Sequence, residues 1–148
     1  MISNSHTLEG VVILVVDDNA DWRDLLGEVL TSHGACVVTA QNGSEAMQIV
    51  EQSPPDVLLS DIAMPEMDGY MLIKKIRDLE QKNGLSKKKA AHLPAAAISA
   101  FTSAEDRRAS VLAGFQFHIA KPVDIPDLIY TVAALAGRLG DRQLGALC

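Results

Sequence analysis

The chain has 148 residues, 48% of them hydrophobic, and a formal net charge of −6, which suits one self-supporting domain and argues against nucleic acid as the main partner, since phosphate binding needs a basic face. No apolar run is long enough to span a membrane, the start lacks a basic-then-apolar leader, and Cys36 and Cys148 make no disulfide framework. A cytoplasmic location is expected.

Residues 1–9 are polar and aperiodic and read as a flexible N-terminal arm. Val11–Val16 is a continuous apolar run, the pattern of a strand covered on both faces. Asp17-Asp18-Asn19 follows, with Asn19 placed to cap a helix on which Trp22, Leu25, Leu26, Val29 and Leu30 recur at helical spacing. Gly34 stops that helix. Ala35–Ala40 reads as a second strand, with Cys36 as a buried small apolar residue. Asn42 or Ser44 caps a short helix carrying Ala46, Met47 and Val50, which Ser53-Pro54-Pro55 breaks.

Asp56–Ser60 reads as the third strand, delivering Asp61 at its end. A helix starts near Met67–Gly69 with Leu72, Ile73, Ile76 and Leu79 inward, and residues 80–92, including Lys87-Lys88-Lys89, read as a solvated loop or frayed helix end. Ala95–Ser99 is the fourth strand, its small residues allowing close helix packing. Thr102 or Ser103 caps the next helix, with Ser103 and Asp106 at capping-box spacing, and Gly114 ends it. Phe115–Ala120 is the fifth strand, and Asp124 caps a last helix bearing Ile125, Leu128, Ile129, Val132 and Leu135. Residues 10–136 thus form one domain and 137–148, with three glycines, a frayed C-terminal tail. Strands alternating with helices imply an α/β fold, a doubly wound five-stranded parallel sheet with five helices.

Ligands of such sheets sit at the carboxyl ends of the strands. Four strands here end on matching chemistry: Asp17 and Asp18, Asp61, Ser99, and Lys121. Three carboxylates crowded together raise one another's pKa unless a cation intervenes, and a small all-oxygen ligand set suits Mg²⁺. A free oxygen of Asp61 can then attack phosphorus while Lys121 and the Ser99 hydroxyl meet the phosphoryl charge, a combination suited to phosphoryl transfer. Singly, each residue has a plainer reading. An acid pair complements a helix dipole, an Asp makes a turn, a Ser is a satisfied hydroxyl and a Lys is a solvated charge. Their joint placement carries the inference.

Val15-Val16-Asp17-Asp18-Asn19, Leu59-Ser60-Asp61 through Gly69, Ile98-Ser99-Ala100 and Ala120-Lys121-Pro122 together resemble the receiver domain of two-component response regulators, over residues 10–136. The resemblance implies a flavodoxin-like, CheY-like receiver fold with strand order 2-1-3-4-5. It implies that Asp61 accepts phosphate from a histidine of a sensor histidine kinase or histidine phosphotransfer protein. Mg²⁺ would be ligated by Asp18, Asp61 and the Ala63 carbonyl, with Asp17 acting mainly through water. Ser99 and His118 take the switch positions, Lys121 pairs with the phosphoryl group, and the Lys121-Pro122 bond is expected to be cis. The output face is that of the fourth helix, fifth strand and fifth helix, on a monomer or a phosphorylation-dependent dimer. Gly114–Val123 inclines toward receivers attached to hybrid histidine kinases.

Two positions depart from the family pattern. His118 stands where the switch aromatic is usually Tyr or Phe, which suggests a pH-sensitive switch. Ala63 and Phe101 offer no side-chain donor to orient a water, which implies slow self-hydrolysis. Three alternatives remain. A haloacid-dehalogenase-type phosphatase needs a second acid where Ala63 stands, and a flavin-binding module needs a phosphate cradle where Asp17-Asp18 would repel phosphate. A docking receiver that works without phosphorylation needs none of the five site residues.

Overall fold

A computed structural model describes residues 7–83 and 92–138. Five strands, β1 (Val12–Val16), β2 (Cys36–Ala40), β3 (Val57–Asp61), β4 (Ala95–Ser99) and β5 (Phe117–Ala120), alternate with five helices. The helices are α1 (Ala20–Ser32), α2 (Gly43–Gln52), α3 (Gly69–Asn83), α4 (Ala104–Ala113) and α5 (Ile125–Leu135). The strands form one parallel sheet in the order β2-β1-β3-β4-β5. This is the expected doubly wound receiver fold, and its strand order reverses direction at β1.

The apolar runs follow from helices on both faces. Along β1, Ile13 and Val15 pack with Leu26 and Leu30 of α1 and Leu128 and Val132 of α5. Leu14 and Val16 point the other way, into a core shared with Val50 of α2, Leu72, Ile73 and Ile76 of α3, and Ala113 of α4. Each fully buried aliphatic side chain contributes about 2 kcal/mol. Ala95, Ala96 and Ala97 are fully buried, as their small size anticipated. Asn19, Asn42, Ser103 and Asp124 cap α1, α2, α4 and α5, and Ser103 and Asp106 complete a reciprocal capping box. A side-chain cap is worth about 1 kcal/mol.

Several expectations need correction. Cys36 is exposed, because β2 is an edge strand and its first side chain faces solvent. Leu8 is fully buried and its N–H donates to the His33 carbonyl, so the packed region begins before residue 10. Beyond α5, the Arg138 guanidinium donates to the Glu9 carbonyl at 2.6 Å; residues 1–6 and 139–148 lie outside the described residues. β3 is shifted by one residue, so Asp61 is its last member, while Asp56 accepts from the Val12 N–H at 2.8 Å. Phe115 is buried before β5 rather than within it.

The largest correction concerns Glu80, read from its polar surroundings as part of a loop or frayed end. It lies inside α3 with only 2% of its side chain exposed. Both of its oxygens accept from Arg77, and they also contact His92 Nδ1 at 3.0 Å and the Leu93 N–H at 2.6 Å. Arg77 also donates twice to the Gly114 carbonyl. One buried carboxylate thus ties α3 to the amino end of β4 and, through Arg77, to the α4–β5 turn. Lys87-Lys88-Lys89 lie outside the described residues.

Candidate functional site

The reversal of strand order leaves a crevice between the carboxyl ends of β1 and β3. Val16 pairs with Ser60, so the residues that follow, Asp17 and Asp61, emerge side by side. Gly69 lets the chain pass close to the end of β3: a Cβ there would run into the Asp61 carbonyl and Ile62 Cα.

Asp17 is 1% exposed and committed to the protein. Its Oδ1 accepts from the Asn19 N–H at 2.9 Å, and its Oδ2 lies 3.3 Å from Lys121 Nζ. Its carbonyl accepts from Arg23 at 2.7 Å. Asp18, next along the chain, is exposed. Asp61 is buried, with Oδ1 3.4 Å from Lys121 Nζ. Asp17, Asp18 and Asp61 each bring a carboxylate oxygen within 4.8 Å of the others. Ala63 lies exposed in the loop just past Asp61.

Burial pushes the Asp61 carboxyl above its ordinary pKa of 3.8, and the charges of Asp17 and Asp18 add to the rise; the Lys121 ammonium acts in the opposite sense and does not cancel it. The cluster therefore has an excess of negative charge that one lysine leaves unbalanced. An oxygen-only donor set with that excess fits a hard divalent cation such as Mg²⁺.

Lys121 follows β5, where its N–H donates to the Ser99 carbonyl at 2.9 Å. The Lys121-Pro122 bond is cis, as the resemblance implied. The ammonium also lies 5.1 Å from the centroid of the Trp22 ring. Helical spacing had marked Trp22 only as an inward-facing residue. Its place in the first turn after the Asn19 cap, four residues past Asp18, is the signal that sets it beside the strand ends.

Ser99 is buried at the end of β4, and its Oγ accepts from the Phe101 N–H at 2.9 Å. The structure thus brings Asp17, Asp18, Asp61 and Lys121 together, while the Ser99 hydroxyl is engaged by its own loop. His118 in β5 faces α4, with Nδ1 3.1 Å from Ser110 Oγ. Its Nε2 is buried and has no hydrogen-bond partner among the described residues. Burial pushes the His118 pKa below its ordinary 6.5, helped by the charge of Arg107 and opposed by the Phe101 backbone and Asp106.

Residues 13–133 match the family model described as the response regulator receiver domain. An uncharacterised 14.6 kDa protein from the sodA1 3′ region of Leptolyngbya boryana is 44% identical over 127 residues, covering 86% of this chain and 91% of that protein. The sensor histidine kinase RcsC of Salmonella typhi is 35% identical over 131 residues, which span 88% of this chain but 13% of the kinase. The fold is similar to the receiver domain of the histidine kinase CKI1 from Arabidopsis thaliana, solved with Mg²⁺ and BeF₃⁻ (TM-score 0.77, 26% identity, 90% of this chain and 95% of that one). It is also similar to the receiver domain of Saccharomyces cerevisiae Ssk1, solved with the histidine phosphotransfer protein Ypd1 (TM-score 0.75, 29% identity, 82% of this chain and 85% of the matched one).

Proposed function

The chain belongs to the response regulator receiver domain family, and from that premise we propose that it is a phosphorylation switch whose acceptor is Asp61. The observation that carries this reading is a buried strand-end carboxylate held between two other acids and one ammonium. The donor is a phosphohistidine of a sensor kinase or a phosphotransfer protein. Kinship with RcsC and likeness to the CKI1 and Ssk1 receivers support that donor class.

An Asp61 carboxylate oxygen attacks phosphorus, a P–O bond forms, the P–N bond breaks, and the imidazole leaves. Lys121, already within 3.4 Å of Asp61, is in reach of the phosphoryl oxygens and neutralises part of their charge. Asp17, Asp18, Asp61 and the Ala63 carbonyl would hold Mg²⁺, which when bound offsets the combined negative charge of acids and phosphoryl group. Ser99 leaves its bond to the Phe101 N–H to donate to the phosphoryl group, and movement of the β4–α4 loop carries the change to His118 and α4. Phosphorylation thereby shifts a two-state equilibrium on the face formed by α4, β5 and α5.

Intact-protein mass after incubation with Mg²⁺ and acetyl phosphate tests the reading. One added phosphoryl group is expected, absent in Asp61→Asn and without Mg²⁺. No added mass, with acetyl phosphate or with histidine kinases, would leave a docking receiver that works without phosphorylation.

A further inference from the structure

We propose that Trp22 is a positioning residue for Lys121 and that, through Lys121, it sets the affinity of the acidic cluster for a divalent cation. The inference rests on the reading of Asp17, Asp18 and Asp61 as a cation site, and it adds a residue that touches neither the ion nor the acceptor.

The geometry around the ammonium is the starting point. Charge-assisted N–H···O contacts normally close to about 2.7–2.9 Å. Lys121 Nζ stands at 3.3 Å from Asp17 and 3.4 Å from Asp61, longer than that on both sides. Its third neighbour is the indole, 5.1 Å to the ring centroid, inside the roughly 6 Å within which an aromatic face attracts a cation. Only 16% of the lysine side chain is exposed, so solvent weakens this attraction little.

The ring is a fixed support. The backbone N–H of Trp22 donates to the Asn19 side chain at the start of α1, which fixes the residue's place in the first turn, and the partly buried side chain packs against the core between the sheet and α1 and α5. An ammonium shared with that face does not collapse onto either carboxylate. The consequence follows from competition, because a divalent cation would draw on the same Asp17 and Asp61 carboxylates that the ammonium faces. Without the aromatic face, Lys121 settles onto the two carboxylates and the ion must displace it. If Trp22 serves only as apolar packing, its loss changes stability and leaves cation affinity untouched.

The test uses the full chain with Mg²⁺ alone as the probe, comparing wild type, Trp22→Phe and Trp22→Leu. Calorimetry reads the Mg²⁺ dissociation constant, and NMR reads the Lys121 ε-methylene protons, which a ring current moves upfield only if the side chain lies over the indole. The expected result is an upfield-shifted pair in wild type, a smaller shift with Phe and none with Leu. Mg²⁺ binding should weaken by about three- to fivefold in Trp22→Leu, with Phe between. In a Lys121→Gln background, Trp22→Leu should leave Mg²⁺ affinity unchanged, because the coupling runs through the ammonium. Unchanged or tighter Mg²⁺ binding in Trp22→Leu overturns the inference, as does an unshifted Lys121 signal in wild type, which needs no variant to fold. A wild-type protein that binds no Mg²⁺ overturns the cation site as well, whereas Mg²⁺ binding indifferent to the ring overturns this inference alone.

Discussion

His118 Nδ1 lies 3.1 Å from the hydroxyl of the fully buried Ser110, so β5 and α4 are joined by an imidazole whose other nitrogen is buried without a hydrogen-bond partner among the described residues. A protonated ring donates from both nitrogens, and among the described residues Nε2 makes no hydrogen bond, the Phe101 backbone lying near without closing one. Burial, with Arg107 nearby, accordingly holds the group below its ordinary pKa, against the smaller pull of the Phe101 backbone and Asp106.

The sign of the resulting pH dependence is fixed. In the unfolded chain the imidazole titrates near 6.5, and in the folded protein lower. Between those values the unfolded state binds more protons, so stability from this residue is full above 6.5 and lost as pH falls toward the folded value. Denaturant unfolding at pH 7.5 and 5.5 should show a loss at the lower pH that is smaller in His118→Phe. Parallel curves for the two proteins would remove His118 as a pH-sensing group.

Cation binding should stabilise the fold through the same acids that crowd the site. A hundredfold excess of Mg²⁺ over its dissociation constant is expected to add about 2.7 kcal/mol, seen as a rise in Tm that vanishes in Asp18→Asn. Without Mg²⁺, Asp61→Asn should melt higher than wild type, because it removes a desolvated charge facing Asp17. A lower Tm for that variant would mean that the Lys121 contact outweighs burial and repulsion together.

Glu80 offers a prediction remote from Asp61. It holds Arg77, His92 and the Leu93 N–H at the amino ends of the strands, away from Asp61. Glu80→Ala leaves a largely covered guanidinium and a buried N–H without their carboxylate, at an expected cost of about 3 kcal/mol. Urea unfolding measures the loss. The rate of phosphorylation by acetyl phosphate in the surviving folded protein should remain near wild type.

The lifetime of the phosphorylated form depends on what can orient a water beside it. Ala63 and Phe101 are both exposed, each two residues past Asp61 and Ser99 respectively, and neither side chain can hold a water by hydrogen bonding. Decay over minutes or longer is expected in the mass assay, with Ala63→Asn faster. Decay within seconds in the wild-type protein would show that other groups supply the water.

Most of the architecture was legible because both sheet faces are covered. Runs such as Val12–Val16 and Val57–Leu59 read as interior strands by their shortness and flanking turn residues, and Asn19, Ser103 and Asp124 announce the helices that follow. Asp17, Asp18, Asp61 and Lys121 were legible for the same reason, since each stands just where an apolar run stops. What stayed hidden depends on contacts between distant segments. The carboxylate of Glu80 looks solvated until Arg77, Leu93 and His92 are seen to surround it, and Leu8 looks like part of an arm until it meets the core. Cys36 misled because an apolar run does not reveal which strand lies at the edge. Trp22 was seen as helix packing, since periodicity records which face a side chain occupies and not the charge waiting opposite.

Lys121 reaches Asp17 across 104 positions of sequence and Asp61 across 60. The lysine is delivered by β5, the outer strand that among the described residues pairs with β4 alone. A chain caught with that strand undocked has three mutually repelling acids and no ammonium among them. The charge arrangement around Asp61 is therefore complete only when β5 is docked on β4. If Asp61 accepts phosphate as proposed, a chain with β5 undocked would lack the ammonium that neutralises the phosphoryl charge, so acceptance would report on a completed sheet.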